Sequence, residues 1–192
     1  MRSILYLHGF HSSPYSEKAQ IFKRFIANSD HELEVIAPQL NVYPELAIKQ
    51  IEDIVKKPSN DIVGVVGSSL GGYLATYLHN EFKLPITVVN PAVRPFELLS
   101  DYLGPQIQPV TGEAYELKPD HIEQLKVIYS ETLWKPEQVW LLQQEGDEVL
   151  DYRQAICHYK GCHITLESEG DHSFIGFDRY PKAIVEFLLL QQ

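Results

Sequence analysis

One stretch of the chain, residues 62–72, constrains the fold more than any other. It reads Ile-Val-Gly-Val-Val-Gly-Ser-Ser-Leu-Gly-Gly, and the helix-forming run Tyr-Leu-Ala-Thr-Tyr-Leu follows at once. A short apolar run that ends in glycine and serine is typical of a buried strand leading into a turn. The sequence therefore predicts a strand, a tight turn with Ser69 at its apex and a helix, all within one Gly-x-Ser-x-Gly pattern.

The two glycines of this pattern have a predicted steric role. At so tight a reversal, a Cβ atom on Gly67 or Gly71 would press on the backbone of the neighbouring strand or helix. Ser69 would then project its hydroxyl above the carboxyl end of the sheet, near the free N–H groups that begin the helix. The alternative is a glycine-rich turn whose serine only caps the helix.

Strand-like and helix-like segments alternate along most of the chain. Strands are predicted at residues 4–7, 33–37, 62–66, 86–89, 139–142 and 163–166, and helices at 16–27, 44–57, 70–80, 152–158 and 181–190. Such alternation favours parallel pairing through right-handed crossovers. We expect an α/β fold: a three-layer α/β/α sandwich around a six-stranded parallel sheet in the order 2-1-3-4-5-6.

The alternation breaks between residues 92 and 136, where the sequence shows only short helical patterns separated by glycine and proline. An insertion of this length is typical of a functional cover, so we expect a small helical cap within a single domain spanning residues 1–192. Its aromatic residues line a pocket or anchor the cap to the body, and the sequence leaves both interpretations open. They are Phe96, Tyr102, Tyr115, Tyr129 and Trp134.

Composition narrows the classes of function. The 192 residues are 44% hydrophobic and 22% charged, and no apolar run approaches the length of a membrane span. The first residues are typical of a strand and not of a signal peptide, so we expect a cytoplasmic protein. The net charge of −10 disfavours nucleic acid and anionic membrane surfaces as partners.

Cys157 and Cys162 have no second pair to complete a metal site, and we expect small buried residues in a reducing compartment.

Three chemically distinct residues follow three predicted strands: Ser69 the third, Asp147 the fifth and His172 the sixth. In a parallel sheet these turns lie at the same edge. A serine hydroxyl becomes a nucleophile when an imidazole takes its proton, and a carboxylate fixes the tautomer of that imidazole. The backbone N–H groups of Phe10 and Leu70 are the predicted donors to an oxyanion formed there.

These assignments have rivals. Asp151 lies four residues beyond Asp147 and would need the loop to fold back. Asp171 adjoins His172, and neighbours in one loop seldom face each other well. His8 and His11 lack a third ligand at metal-binding spacing, so we expect neither a metal nor a cofactor.

The motifs resemble those of the α/β-hydrolase superfamily along the whole chain, and more narrowly those of the small YqiA-type bacterial esterases. The matching stretches are residues 6–10, 12–14, 67–72, 90–92, 146–152 and 170–174. The two antiparallel strands that usually open the superfamily fold are missing here. The resemblance implies that Ser69 is the nucleophile, Asp147 the acid and His172 the base.

We therefore expect a hydrolase of carboxylic esters or thioesters, with a small-molecule acyl substrate and an acyl-enzyme on Ser69. One alternative is transfer of the acyl group to an acceptor other than water. Another, from a different class, is a binding protein that keeps the pocket without turnover. The intact serine, aspartate and histidine speak against that second alternative.

Overall fold

The computed structural model describes residues 1–191, in which strands and helices alternate as predicted. The first half contains β1 (Arg2–Leu7), α1 (Glu17–Ala27), β2 (Leu33–Ile36), α2 (Pro44–Lys56), β3 (Ile62–Ser68), α3 (Leu70–Phe82) and β4 (Ile86–Val89). The second half contains α4 (Pro95–Leu99), β5 (Gly104–Ile107), β6 (Ala114–Leu117), α5 (Pro119–Val127), β7 (Val139–Gln144), α6 (Tyr152–His158), β8 (His163–Glu167) and α7 (Pro181–Leu190). The longest helices have 13 residues, and none within residues 1–191 has the length and apolar character to cross a membrane.

The main sheet has six strands in the order β2-β1-β3-β4-β7-β8, and every neighbouring pair is parallel. Since β7 and β8 are its fifth and sixth strands along the chain, the predicted order 2-1-3-4-5-6 is confirmed. In β3 every residue after Ile62 is buried, as expected for a central strand covered on both faces. Parallel pairing brings the carboxyl ends of all six strands to one edge.

Helices cover both faces of the sheet and create two core layers. On one face α1 and α7 pack their apolar sides, with Phe22, Ile184 and Leu188 fully buried against the strands. On the other face α2, α3 and α6 contribute a second cluster that includes Ile51 and Leu78. The predicted three-layer α/β/α sandwich is confirmed.

Residues 92–136, the cap segment, differ in part from the prediction. They contain the helices α4 and α5, but also an antiparallel hairpin of β5 and β6. The expectation of a segment without strands is wrong. Each strand is only four residues long and β5 contains Pro105, so the local sequence carries little strand signal.

The cap segment packs on the body through a third cluster. Phe96 and Tyr115 are buried in it with apolar residues of α4, β6 and α5, and Tyr73 of α3 supplies the contact with the body. Tyr102 and Trp134 remain 40% exposed. Phe96 and Tyr115 therefore anchor the cap segment, and Tyr115 also lines the cavity described below.

The two cysteines are less buried than expected. Cys157 is exposed and Cys162 is half-buried, and both are free thiols. Cys157 lies on the outer side of the short helix α6, whereas Cys162 packs partly against the second core cluster. The expectation of two buried cysteines is wrong because Ala155 of α6 and Tyr159 after it turn toward the core and leave Cys157, between them, on the exposed side.

Candidate active site

The turn between β3 and α3 has the steric form that the sequence predicts. A Cβ atom on Gly67 would lie 2.2 Å from the carbonyl oxygen of Gly71, and one on Gly71 would lie 2.1 Å from that of Leu7. Between them Ser69 has φ 55° and ψ −122°. A non-glycine residue in this region carries about 1–3 kcal/mol of strain, which the surrounding contacts must hold in place.

The backbone of Ser69 is fixed from the β4 side. Its N–H donates to the Val89 carbonyl at 3.1 Å, and its carbonyl accepts from the N–H of Ala92 at 3.0 Å. The Ser69 side chain does not cap α3. The hydroxyl is therefore left to point away from the helix.

The Ser69 hydroxyl faces His172, and His172 faces Asp147. Ser69 Oγ lies 3.1 Å from His172 Nε2, while His172 Nδ1 lies 2.9 and 2.8 Å from Oδ1 and Oδ2 of Asp147. A carboxylate accepts hydrogen bonds and does not donate them, so Nδ1 carries the imidazole hydrogen and Nε2 accepts from the serine hydroxyl. The three side chains thus form one continuous chain of hydrogen bonds across three strand ends.

Asp147 is held rigidly at the end of β7. Its side chain is fully buried, and Oδ1 also accepts from the backbone N–H groups of Val149 and Leu150, each at 2.9 Å. Its rival Asp151 instead caps α6 by accepting from the Arg153 N–H at 3.0 Å. The loop does not fold back, and Asp147 is the aspartate that meets the imidazole.

Three residues to which the sequence analysis gave no positioning role hold the loop that carries His172. The His172 N–H donates to Glu148 Oε2 at 2.9 Å, and Asn90 Nδ2 donates to the carbonyls of Asp171 and His172. Gln144 binds the same loop on its other side. The available signal was the pair of amides, Gln143 and Gln144, at the end of an otherwise apolar strand.

The backbone N–H groups of Phe10 and Leu70 lie where the two loops converge on Ser69. A Cβ atom on Gly9 would lie 3.1 Å from the Cβ of Ser69, so the loop after β1 passes directly beside the serine. Leu70 begins α3, and its N–H has no acceptor within the helix. That these two N–H groups bind an oxyanion remains a prediction from the sequence.

An apolar cavity of about 50 Å³ opens beside this turn, between the loop after β1, α2, α3 and the cap segment. Polar groups at its wall pair with each other: His11 Nε2 lies 2.8 Å from the Tyr115 hydroxyl. Burial lowers the pKa of His11 and raises the pKa of Tyr115 to about 12, so the pair is uncharged at neutral pH. The other lining residues include Leu40, Leu70, Leu74 and Leu125.

The ring of His8, a histidine for which the sequence analysis did not expect a metal, contacts the backbone through both nitrogens. Its Nδ1 lies 2.9 Å from the Gly9 carbonyl, and its Nε2 accepts from the Leu40 N–H at 3.1 Å. Burial lowers the pKa of this histidine, which keeps it neutral. Both ring nitrogens are thus used, and residues 1–191 contain no cluster of three histidine, cysteine or acidic side chains able to hold a metal ion.

Comparison with known proteins identifies the family. The model of UPF0227, described as an uncharacterised protein family, matches residues 3–189. A protein of Agrobacterium vitis S4 is similar in structure, with 18% identity, a TM-score of 0.77 and coverage of 97% of this chain and 88% of that one. Est1E from Butyrivibrio proteoclasticus has 15% identity, a TM-score of 0.73 and coverage of 99% and 88%.

Mouse alpha/beta hydrolase domain-containing protein 10 has 16% identity, a TM-score of 0.72 and coverage of 98% of this chain and 90% of that one. At these identities the likeness concerns the fold. It agrees with the resemblance carried by the sequence motifs. The chain therefore belongs to the uncharacterised protein family UPF0227, and it has the fold of an α/β hydrolase.

Proposed function

We propose that the protein is a serine hydrolase that cleaves carboxylic esters or thioesters through an acyl-enzyme on Ser69. The observation that carries the proposal is the unbroken hydrogen-bond chain from Ser69 Oγ through the His172 imidazole to the buried Asp147 carboxylate. The strained backbone of Ser69, placed at a strand-to-helix turn, supports it. A serine with no base at hydrogen-bond distance would not support such a function.

In the first half of the reaction, Ser69 Oγ attacks the carbonyl carbon of the substrate while His172 Nε2 takes the hydroxyl proton. Asp147 stabilises the imidazolium that forms. The carbonyl oxygen becomes an oxyanion and accepts from the N–H groups of Phe10 and Leu70. The bond to the leaving group then breaks, and His172 returns its proton to the departing alcohol or thiol.

In the second half, water replaces the leaving group. His172 Nε2 takes a proton from the water, whose oxygen attacks the acyl carbon bound to Ser69. The same N–H groups bind the second oxyanion. When this intermediate collapses, Ser69 regains its proton from His172 and a carboxylic acid is released, so that the resting enzyme is restored.

The surroundings of the site favour a small, uncharged acyl group. The cavity beside Ser69 is small and mainly apolar, and the His11 and Tyr115 side chains at its wall are paired with each other. The net charge of −10 disfavours polyanionic substrates. Among proteins of similar fold, one from Rhodothermus marinus is named an esterase domain, and Est1E has been found with ferulic acid bound. Those names favour a carboxylic ester as the first compound to try.

Covalent labelling tests the proposal directly. A fluorophosphonate should label the protein on Ser69, because only an activated serine reacts rapidly with it. Ser69→Ala should abolish labelling, whereas Ser68→Ala should retain it. Absence of labelling in the folded wild-type protein would instead identify a binding scaffold.

Turnover of esters and thioesters of graded acyl length defines the substrate class in a second step. A hydrolase releases free acid at a rate that is independent of added alcohol or thiol acceptor. An acyltransferase diverts the product to the acceptor and shows little release of acid. The ratio of the two products decides between these activities.

A further inference from the structure

The side chain of Gln144, at the end of β7, is a buried amide with every hydrogen-bonding position used. It is 2% exposed. Its Oε1 accepts from the N–H groups of Asp171 and Ile175 at 3.2 and 2.9 Å. Its Nε2 donates to the Ile175 carbonyl at 2.8 Å and to Glu167 Oε2 at 2.7 Å. One side chain thus forms hydrogen bonds with residues 171 and 175, which lie on either side of His172.

Asn90, which follows β4, binds the same loop through other backbone groups. It is 1% exposed, and its Nδ2 donates to the carbonyls of Asp171 and His172 at 2.8 and 3.3 Å. Its Oδ1 accepts from the backbone N–H of Gln144 at 2.9 Å. Asn90 and Gln144 are therefore linked to each other as well as to the loop.

The backbone of the loop packs closely against the Gln144 side chain. A Cβ atom on Gly170 would lie 2.1 Å from Gln144 Oε1, so the loop runs against the amide with no side chain between them. The amide supplies two donors and two acceptor positions at this site, whereas an ionised carboxylate lacks the donors and an aliphatic side chain lacks both. Buried polar networks of this kind fix one arrangement because every unmade bond is costly.

We propose that Asn90 and Gln144 are positioning residues that hold the imidazole of His172 at hydrogen-bond distance from Ser69. Neither touches the reacting atoms. The loop residues 171–175 have no strand or helix of their own to fix them, and the two amides supply that rigidity. The kinetic part of this inference rests on the proposed hydrolase function. The structural part, the distance from Ser69 Oγ to His172 Nε2, does not.

The first experiment compares Gln144→Leu with Gln143→Leu in the full-length protein. Both residues are buried amides on the same strand, but the hydrogen bond of the Gln143 side chain goes to the Gln144 carbonyl and not to residues 171–175. Gln144→Leu should lower kcat by about 10²-fold with KM within about twofold, because a misplaced base slows the chemical step more than it weakens binding. Gln143→Leu should leave kcat within about threefold of the wild type.

The second experiment uses pH to restore the missing donor. Gln144→Glu keeps an acceptor for the Asp171 and Ile175 N–H groups but presents an oxygen without hydrogen to Glu167 and the Ile175 carbonyl. Protonation of the introduced carboxyl group returns an O–H donor there. The kcat of Gln144→Glu divided by that of the wild type should therefore rise as pH falls from 8 to 5.5, whereas the same ratio for Gln144→Leu should stay flat.

Crystal structures of Gln144→Leu and Asn90→Asp separate this inference from the proposed function. Asn90→Asp keeps the acceptor for Gln144 and replaces the donor that binds the loop, at nearly constant size. We expect the distance from Ser69 Oγ to His172 Nε2 to exceed 3.5 Å in both variants. An unchanged distance together with wild-type kcat would overturn the inference. If the wild-type protein hydrolyses no ester, the proposed function fails, and the distance alone decides whether the amides position His172.

Discussion

The two oxygen atoms of Asp147 have different partners. Both oxygens lie within hydrogen-bond distance of His172 Nδ1, Oδ1 at 2.9 Å and Oδ2 at 2.8 Å, but only Oδ1 also accepts from the backbone N–H groups of Val149 and Leu150. An asparagine at this position would turn its carbonyl oxygen toward the two backbone donors. Its amide nitrogen would then face His172 Nδ1, where an acceptor is needed.

Asp147→Asn should therefore lower kcat by about 10⁴-fold while the protein stays folded, because the imidazole is driven to the wrong tautomer. Steady-state kinetics and a thermal melting curve measure the two effects separately. Asp151→Asn, which alters only an exposed cap of α6, is the matched control and should change kcat by less than about threefold. Comparable losses in the two variants would contradict the assignment of Asp147.

At the scale of elements, the turn from β3 to α3 depends on close backbone contacts. In Gly71→Ala the new methyl group would lie 2.1 Å from the Leu7 carbonyl oxygen, and neither backbone can move without disturbing the sheet. We expect this variant to lose about 3 kcal/mol or more of unfolding free energy, measured by urea denaturation.

Gly9→Ala is the comparison for that variant. Its methyl group would lie 3.1 Å from the Cβ of Ser69, a contact that a shift of a few tenths of an ångström relieves. The unfolding free energy should fall by less than about 1 kcal/mol. The rate of fluorophosphonate labelling should fall more clearly, because the serine itself is displaced. Equal stability of the two alanine variants would show that the turn is more pliable than its contacts indicate.

The hairpin of the cap segment braces the loop after β1. The Tyr115 hydroxyl lies 2.8 Å from His11 Nε2, and Gln108 Nε2 donates to the Ser12 carbonyl at 2.8 Å. His11 has φ 53°, so this loop is held in a strained form next to the predicted oxyanion donor Phe10. The cap segment thus supports the loop as well as lining the cavity.

Tyr115→Phe should lower kcat/KM by about three- to tenfold, since it removes one buried hydrogen bond worth about 1 kcal/mol and keeps the ring packed. Ester hydrolysis at substrate concentrations well below KM measures this ratio. Tyr102→Phe is the control. It removes a hydroxyl from another cap-segment ring, which packs against Phe10, and should have no effect beyond experimental error. A loss as large for Tyr102→Phe would show that the effect is not specific to the bond with His11.

The elements that the sequence predicted are those whose local pattern and tertiary environment agree. Strands such as β3 are apolar because both of their faces are buried. Gly67 and Gly71 predict the turn because no larger residue fits at either position. The hairpin of β5 and β6 was missed because its strands acquire their alternate burial only from the body beneath them. The roles of Asn90 and Gln144 were missed because the sequence does not show which distant backbone groups an amide side chain will bind.

At the scale of the whole molecule, Glu167 ties the last strand of the sheet to the segment before α7. Its oxygens accept from the Tyr180 hydroxyl at 2.6 Å, from Arg179 at 2.8 and 2.9 Å and from Gln144 Nε2 at 2.7 Å. Burial alone would raise the pKa of this carboxyl group, but the hydrogen bonds from Arg179, Tyr180 and Gln144 outweigh it and lower the pKa to about 2.

Because that pKa is depressed, the ionised form stabilises the fold above the ordinary carboxyl range, and this contribution is lost as pH falls from about 4.5 to 2. Glu167→Gln should remove about 1–2 kcal/mol at pH 7, after allowance for the exposed Arg179, and should flatten the fall in stability over that pH range. Urea unfolding at several pH values measures both. Glu186→Gln, in an exposed pair with Lys182, is the control and should leave the curve unchanged.

The loop that carries His172 follows β8, which has a neighbour on one side only, whereas Ser69 follows β3 in the middle of the sheet. An outermost strand detaches more easily than an inner one. We therefore expect detachment of β8 to separate the imidazole from the serine while the centre of the sheet stays folded. Activity should consequently disappear at a lower urea concentration than the fluorescence signal of global unfolding. The time for which the protein stays active is then limited by detachment of the edge strand β8, and substitutions that stabilise the core would extend it little.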